Sequence, residues 1–302
     1  MNVLLTGATG FLGANILQHF TNMGHHVETI GRSQENDIIA DLATFNKPLN
    51  TKYDLVIHAA GKAHVIPKTH AEEKLFYDVN LEGTKNLLKN LVMPPKNLIF
   101  ISTVAVYGLD HGQGIDEDYP LKATTPYGKS KVMAENEILA WAKINEVGAT
   151  ILRLPLIIGR NPKGNLKSMI HGIQKGFYFN IGKGNAKKSM VLVDDISMAL
   201  PILIKQPNIY HLTDGHDPSF KELSGVIAKE YGVKKIYAIP YYVIKPIALC
   251  GDIIKKLFSI SPPIDSLKLD KINKSLTFND SKARTAGYSS RQILDNKQYW
   301  LN

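Results

Sequence analysis

Tyr127 and Lys131 stand four residues apart in the run Tyr-Gly-Lys-Ser-Lys, a spacing that puts both side chains on one face of a helix. A tyrosine, with an ordinary pKa of about 10, is a poor acid–base group at neutral pH. A neighbouring ammonium favours the phenolate and draws the group toward working range. Lys131 is placed to be that ammonium; the plain alternative is a solvated helix lysine. Thr103 closes the apolar run 98–102, and its strand-end hydroxyl can hydrogen-bond either a reacting oxygen or its own loop. Together the three describe proton transfer at an oxygen.

A second constellation lies at residues 6–13, Thr-Gly-Ala-Thr-Gly-Phe-Leu-Gly, between an apolar strand at 3–5 and a helix. Gly7, Gly10 and Gly13 let the chain turn sharply, approach a pyrophosphate and pack helix on strand, while the helix N-terminus offers free N–H groups to phosphate. The spacing departs from the common G-x-G-x-x-G, so a bare structural turn stays open. The next strand ends Ile30-Gly31-Arg32-Ser33. An acid at such a strand end takes the adenine-ribose 2′-hydroxyl of NAD, whereas a basic residue accommodates the 2′-phosphate of NADP. Arg32 with Ser33 therefore favours NADP, although Arg32 could also stack on adenine with NAD bound.

These groups need a scaffold that brings strand ends together. Strand-like runs at 3–5, 27–30, 55–58, 98–102 and 150–154 alternate with helical patterns at 11–23, 71–91 and 126–146. The alternation predicts an α/β fold, a doubly wound, Rossmann-like parallel sheet with ligands at its carboxyl ends. Thr125 is placed as N-cap of the third helix and Pro126 as its first residue. Beyond Gly159 the pattern loosens, with loops at 161–164 and 182–188 around a helix at 166–176. A strand at 190–193, a helix at 195–204 and a strand at 209–212 returning to the main sheet come next, and a mostly helical part begins near Pro218. The expected organisation is a dinucleotide-binding domain of residues 1–160 completed by 190–213, and a smaller, discontinuous substrate-binding part from 161–189 and 214–302.

Composition narrows the class. The chain has 302 residues and one cysteine, Cys250, which excludes an internal disulfide or a cysteine metal cluster and reads as a small buried apolar side chain. Residues 1–6 already read as strand rather than secretory signal, so a cytoplasmic setting is expected. The net charge of +9 is scattered, with Lys187 and Lys188, Lys234 and Lys235, and Lys255 and Lys256 as its densest pairs. That pattern suits phosphorylated ligands better than nucleic acid. None of the ten histidines falls into a metal-ligand pattern with carboxylates, so no metal is expected. Residues 236–258 are apolar but broken by Pro240, Lys245, Pro246 and Asp252, which predicts a buried or amphipathic helix rather than a membrane span. A second reading puts Lys255 and Lys256 at a headgroup surface.

Seven segments in order, 6–13, 54–61 (Asp-Leu-Val-Ile-His-Ala-Ala-Gly), 79–87, 100–108, 126–131, 153–159 and 191–195, resemble the extended short-chain dehydrogenase/reductase family of nucleotide-sugar epimerases, reductases and dehydratases. The resemblance covers the first two-thirds of the chain well and the last third loosely. It implies that Tyr127 is the general acid–base, that Lys131 holds the nicotinamide ribose and lowers the tyrosine's pKa, and that Thr103 orients a sugar carbonyl. It implies cofactor contacts from Gly7, Thr9, Gly10, Phe11, Leu12 and Gly13 at the turn, Arg32, Ser33, Asp41 and Leu42 toward adenine, and Ala59, Ala60 and Gly61 by backbone approach. Asn80, Ser102 and Leu154 complete that set, and His58 is structural.

Dehydratases of the family carry Asp-Glu after the strand-end threonine, where this chain has Val104 and Ala105, which leaves 4-reduction or 4-epimerisation. Arg32 tips the expectation toward an NADP-dependent reductase of a UDP-linked 4-keto sugar in polysaccharide biosynthesis. The alternatives are an NAD-dependent UDP-hexose 4-epimerase and, from another class, a redox-inactive sensor or scaffold. Leu156 stands where many sugar epimerases place asparagine, and Lys188 where they have arginine. Asn165, in Lys163-Gly164-Asn165, and Lys188 are candidate diphosphate contacts or plain surface residues. A homodimer is compatible with the resemblance.

Overall fold

The computed structural model describes residues 1–302 except His64, Lys163, residues 259–264 and Asn302, and describes residues 254–258 by backbone alone. Its centre is a seven-stranded parallel sheet. The strands are β1 (Asn2–Thr6), β2 (His26–Gly31), β3 (Ile38–Ile39), β4 (Leu55–His58), β5 (Asn97–Thr103), β7 (Gly148–Leu154) and β11 (Ile209–Tyr210), in the order β11-β7-β5-β4-β1-β2-β3. The central strands are apolar almost throughout, as strands covered on both faces must be. On one face lie α1 (Phe11–Asn22) and α6 (Val193–Leu203), with Ile16, Phe20, Ile196 and Leu200 buried against Leu5 and Ile57. The other face is covered by α3 (Gly83–Asn90) and α4 (Pro126–Ile144), through Leu87, Leu88, Ala134 and Ile138 against Val56 and Phe100.

Register decides what meets at the carboxyl edge. Thr6 pairs with Ile30 and with His58, His58 with Phe100, and Thr103 with Leu154. The glycine turn, Ala59–Gly61, Thr103 and Leu154 therefore leave the sheet side by side.

The helix expected over 71–91 is instead three pieces: α2 (His70–Tyr77), a π-helical turn (Asp78–Glu82) and α3. The wide turn is centred on buried Asn80, whose carboxamide accepts from Lys62 N at 2.7 Å and donates to Ser130 Oγ at 2.9 Å. Such turns recur where a side chain must be placed for function. The strand expected at 190–193 is present, outside the main sheet. It is β10 (Met190–Leu192), which pairs in parallel with β8 (Leu156–Ile158) as a separate two-stranded sheet. Between them lie α5 (Gly164–Gln174) and β9 (Phe179–Ile181).

The remaining chain builds small parallel pairs, β6 (Gly112–Ile115) with β13 (Leu276–Phe278), and β9 with β12 (Tyr237–Ile239). Its helices are α7 (Phe220–Glu230), α8 (Tyr241–Phe258), α9 (Ser266–Asn273) and α10 (Ser281–Thr285). α7 opens with a full capping box, Ser219 and Glu222 satisfying each other's backbone N–H groups. Residues 236–258 thus form a strand and a helix. Cys250 is exposed, not buried, because the packed face of α8 is set by Ile244, Ala248 and Gly251.

Candidate active site

Gly7 has φ +74°, and a Cβ there would sit 2.7 Å from Ala60 N, so only glycine lets the turn close on Ala59 and Ala60. A Cβ on Gly13 would stand 2.0 Å from Gly7 O. α1 begins at Gly10 with no side-chain cap, leaving its first N–H groups for an anion. Thr9 and Phe11 are exposed at this mouth, and Leu12 is turned into the core. Thr6 Oγ1 accepts from Ala60 N at 3.0 Å and meets His58 Nδ1 at 2.7 Å. The other ring nitrogen of His58 meets Thr84 Oγ1 at 2.8 Å, and burial pushes its pKa down to about 3. The ring is a neutral structural tie between β4 and α3.

Tyr127, Lys131 and Glu135 occupy one face of α4, whose first turn is capped by Thr125 Oγ1 accepting from Gly128 N at 3.1 Å. The Tyr127 phenol faces Thr103 across the gap to β5, and Thr103 Oγ1 itself accepts from Ala105 N at 3.2 Å. Burial raises the phenol's pKa, and the neighbouring Thr103 hydroxyl pulls it back only in part. Lys131 is buried, its Nζ donating to Ile101 O at 2.8 Å and lying 4.3 Å from the Phe100 ring centroid. Burial lowers its pKa to about 8, with the Glu135 carboxylate opposing the shift. In this arrangement the ammonium is turned to a backbone carbonyl, and desolvation rather than Lys131 governs the phenol. A Cβ on Gly61 would come within 3.2 Å of both Lys131 Nζ and Asn80 Oδ1, so the three converge.

Sequence reasoning missed the support beneath these groups. Glu135 and Arg153, both buried, pair at 2.8 Å, and Ser102 Oγ donates to Glu135. The Ser102 side chain is thereby committed to the scaffold. Arg153 Nη1 donates to Tyr107 Oη at 3.0 Å and Glu117 O at 2.8 Å, and Tyr107 Oη meets His211 Nε2 at 2.7 Å. Burial lowers the His211 pKa to about 4. The continued four-residue spacing from Lys131 to Glu135 was the available signal.

The remaining candidates lie apart. Arg32 is exposed at the end of β2, and Ser33 is held in a turn by Asn36 N donating to its carbonyl. Asp41 caps a short turn through Ala43 N at 3.0 Å, and Leu42 is buried against α3. Leu154 is buried beside Thr103. Asn165 is exposed on the first turn of α5, and Lys163 lies outside the described residues. Lys188 is half-buried next to Leu276, its pKa lowered by burial and raised by Asp110. Neither Asn165 nor Lys188 is bonded to the Thr103–Tyr127 pair among the described residues. Among those residues no three His, Cys, Asp or Glu side chains group as a metal site.

Comparison with known proteins gives the same outline. The family described as NAD dependent epimerase/dehydratase matches residues 3–212. The chain is 28% identical to an N-acetyl-alpha-D-glucosaminyl-diphospho-ditrans,octacis-undecaprenol 4-epimerase of Escherichia coli O157:H7, across 97% of this chain and 92% of that protein. It is 28% identical to a UDP-glucose 4-epimerase of Vibrio cholerae, across 88% and 85%. Among solved structures, the Thermus thermophilus UDP-glucose 4-epimerase in complex with NAD superposes with TM-score 0.69 at 20% identity, over 99% of both chains. The human epimerase family protein SDR39U1 with NADPH superposes with TM-score 0.70 at 17% identity, over 96% and 95%.

Proposed function

Because the chain belongs to the NAD-dependent epimerase/dehydratase family, we propose that it is a 4-epimerase acting on a hexose carried by a diphosphate, a UDP-hexose above all. The observation that carries this reading is the meeting of the Thr103–Tyr127 pair with buried Lys131 beside a glycine cradle open to a dinucleotide. The curated relatives named above, both 4-epimerases, support it over net reduction.

The residues fit a nicotinamide dinucleotide. Gly7 and Gly13 leave room that a Cβ would fill, the uncapped start of α1 suits the pyrophosphate, and Lys131 suits ribose hydroxyls beside Gly61, while Asn80, its carboxamide committed to Lys62 and Ser130, braces that wall from within. When bound, that group supplies the hydride store that the side chains lack. Tyr127 takes the proton of the sugar 4-hydroxyl as the carbon-bound hydrogen departs as hydride, and returns it when hydride comes back to the opposite face. Thr103 Oγ1 orients the oxygen, which is a carbonyl oxygen at mid-reaction. Lys131 would turn its ammonium to the developing phenolate, and the Glu135 carboxylate favours the protonated form of Lys131 against its burial. Val104 and Ala105 offer no second acid–base pair for loss of water.

Asn165 and Lys188 are proposed to meet the substrate diphosphate, which a nucleotide sugar and a polyprenyl-linked sugar share. Arg32, exposed at the end of β2, specifically favours a second reading, an NADPH-consuming 4-ketoreductase. Supplying UDP-glucose or UDP-N-acetylglucosamine with the protein and catalytic NAD separates the two: 4-epimers without net cofactor change support the proposal. NADPH oxidation matching loss of a UDP-4-keto sugar, with no epimer formed, overturns it.

A further inference from the structure

We infer that the outward face of α8 is a docking surface for an anionic lipid bilayer. The helix packs inward through Ile244 and Ala248 against Leu269 of α9 and against Ile181 and Ile239 of the β9–β12 pair. At 100° per residue the opposite side gathers Tyr242, Leu249 and Ile253 around Pro246, with Val243 and Ile247 on its flank. These side chains are 75%, 50%, 57%, 46% and 56% exposed, in the order Tyr242, Leu249, Ile253, Val243, Ile247. Among the described side chains, the solvent side of α8 thus carries more large apolar groups than its packed side. A helix that packs on one face and meets only water on the other shows the reverse, and a contiguous exposed apolar patch of this kind marks contact with a second apolar medium. Tyr237 and Phe179, register partners on β12 and β9, and Leu267 on α9 extend the exposed apolar surface of the same small lobe.

Charge selects the occupant. Residues 229–274 contain nine lysines and four acids, five of the net charges of the whole chain. The acids are occupied within the fold. Glu230 pairs with Lys297, Asp252 accepts from Ser266 N, Asp265 caps α9 through Lys268 N, and Asp270 pairs with Lys274. Lys234, Lys235 and Lys245 are exposed. A second copy of this chain would bring lysine-flanked faces together, whereas an anionic leaflet offers apolar depth and the opposite charge at once. No helix, among the described residues, is long and apolar enough to cross a membrane, so the contact is one of lying on the surface.

The test uses the full chain with vesicles of phosphatidylcholine alone and of phosphatidylcholine and phosphatidylglycerol in equal parts. The expected result is cosedimentation with the anionic vesicles that falls about tenfold or more when Tyr242→Glu, Leu249→Glu and Ile253→Glu are combined. Helical dichroism of that variant should be unchanged, since the three positions are exposed. Failure of the unaltered chain to bind anionic vesicles at low salt would overturn the inference. So would binding that the combined variant leaves intact, or a homodimer that the variant dissolves, which would make a second copy the occupant.

Discussion

The carboxyl edge of the main sheet and the lobe built from α5, α7, α8 and α9 follow opposite rules of packing. At the sheet edge, backbone meets backbone so closely that a Cβ on Gly13 would overlap Gly7 O at 2.0 Å, and Lys131 and Ser102 rest on a buried ion pair. In the lobe, Gly225 on α7 has nothing within 4 Å of an added Cβ, and α8 turns apolar side chains outward. The difference teaches where each part of an activity is written. Under the proposed function, proton and hydride chemistry needs the fixed backbone geometry of the sheet edge, which constrains residue type at each position, and the carrier of the sugar is left to the lobe, whose surface constrains little.

That contrast can be broken at several points. Gly13→Ala should cost more than about 4 kcal/mol or prevent folding, read by chemical denaturation. A cost below about 1 kcal/mol would show that the turn yields. Tyr127→Phe should lower kcat on the order of 10³-fold while leaving NAD affinity nearly unchanged, by steady-state kinetics and cofactor titration. Glu135→Gln strips the buried Arg153 of its counter-charge and should cost about 3 kcal/mol. Equal stability would place the pair in solvent contact.

Acid should act through the sheet half. His58 and His211 have folded pKa values of about 3 and about 4, below the ordinary 6.5, so each stabilises fully above pH 6.5 and loses that contribution as pH falls through the folded value. Between pH 6.5 and 5 the loss is about 2 kcal/mol for each histidine, checked by urea unfolding at the two pH values. A His211→Asn variant should flatten this slope. The smallest effect has the opposite sign: Gly225→Ala, in the exposed middle of α7, should stabilise by about 0.5 to 1 kcal/mol in thermal unfolding.

The same contrast explains what could be read before the structure. Alternation of apolar strands and amphipathic helices is a period that sequence displays directly, and the main sheet, α1 and α4 follow from it. Tyr127, Lys131 and Thr103 were visible because helix spacing and strand ends are local properties. The π turn at Asn80 was not, since one extra residue in a helical turn leaves the apolar period nearly intact. Nor was the direction of the Tyr127 shift, which depends on desolvation by chain distant in sequence. The Cys250 side chain was misplaced for a related reason. Apolar residues cover most of the circumference of α8, with Lys245 and Asp252 on one side, so the pattern does not say which part of that wide apolar arc packs.

The central claim is hydride transfer from and back to carbon four, with Tyr127 handling the proton. It is tested most directly by incubating UDP-glucose deuterated at carbon four with the protein and NAD and following the sugar by proton NMR. The account predicts the 4-epimer with its deuterium retained and no appearance of that epimer with Tyr127→Phe. Epimer whose deuterium has been exchanged for solvent hydrogen, or full turnover by Tyr127→Phe, would contradict it.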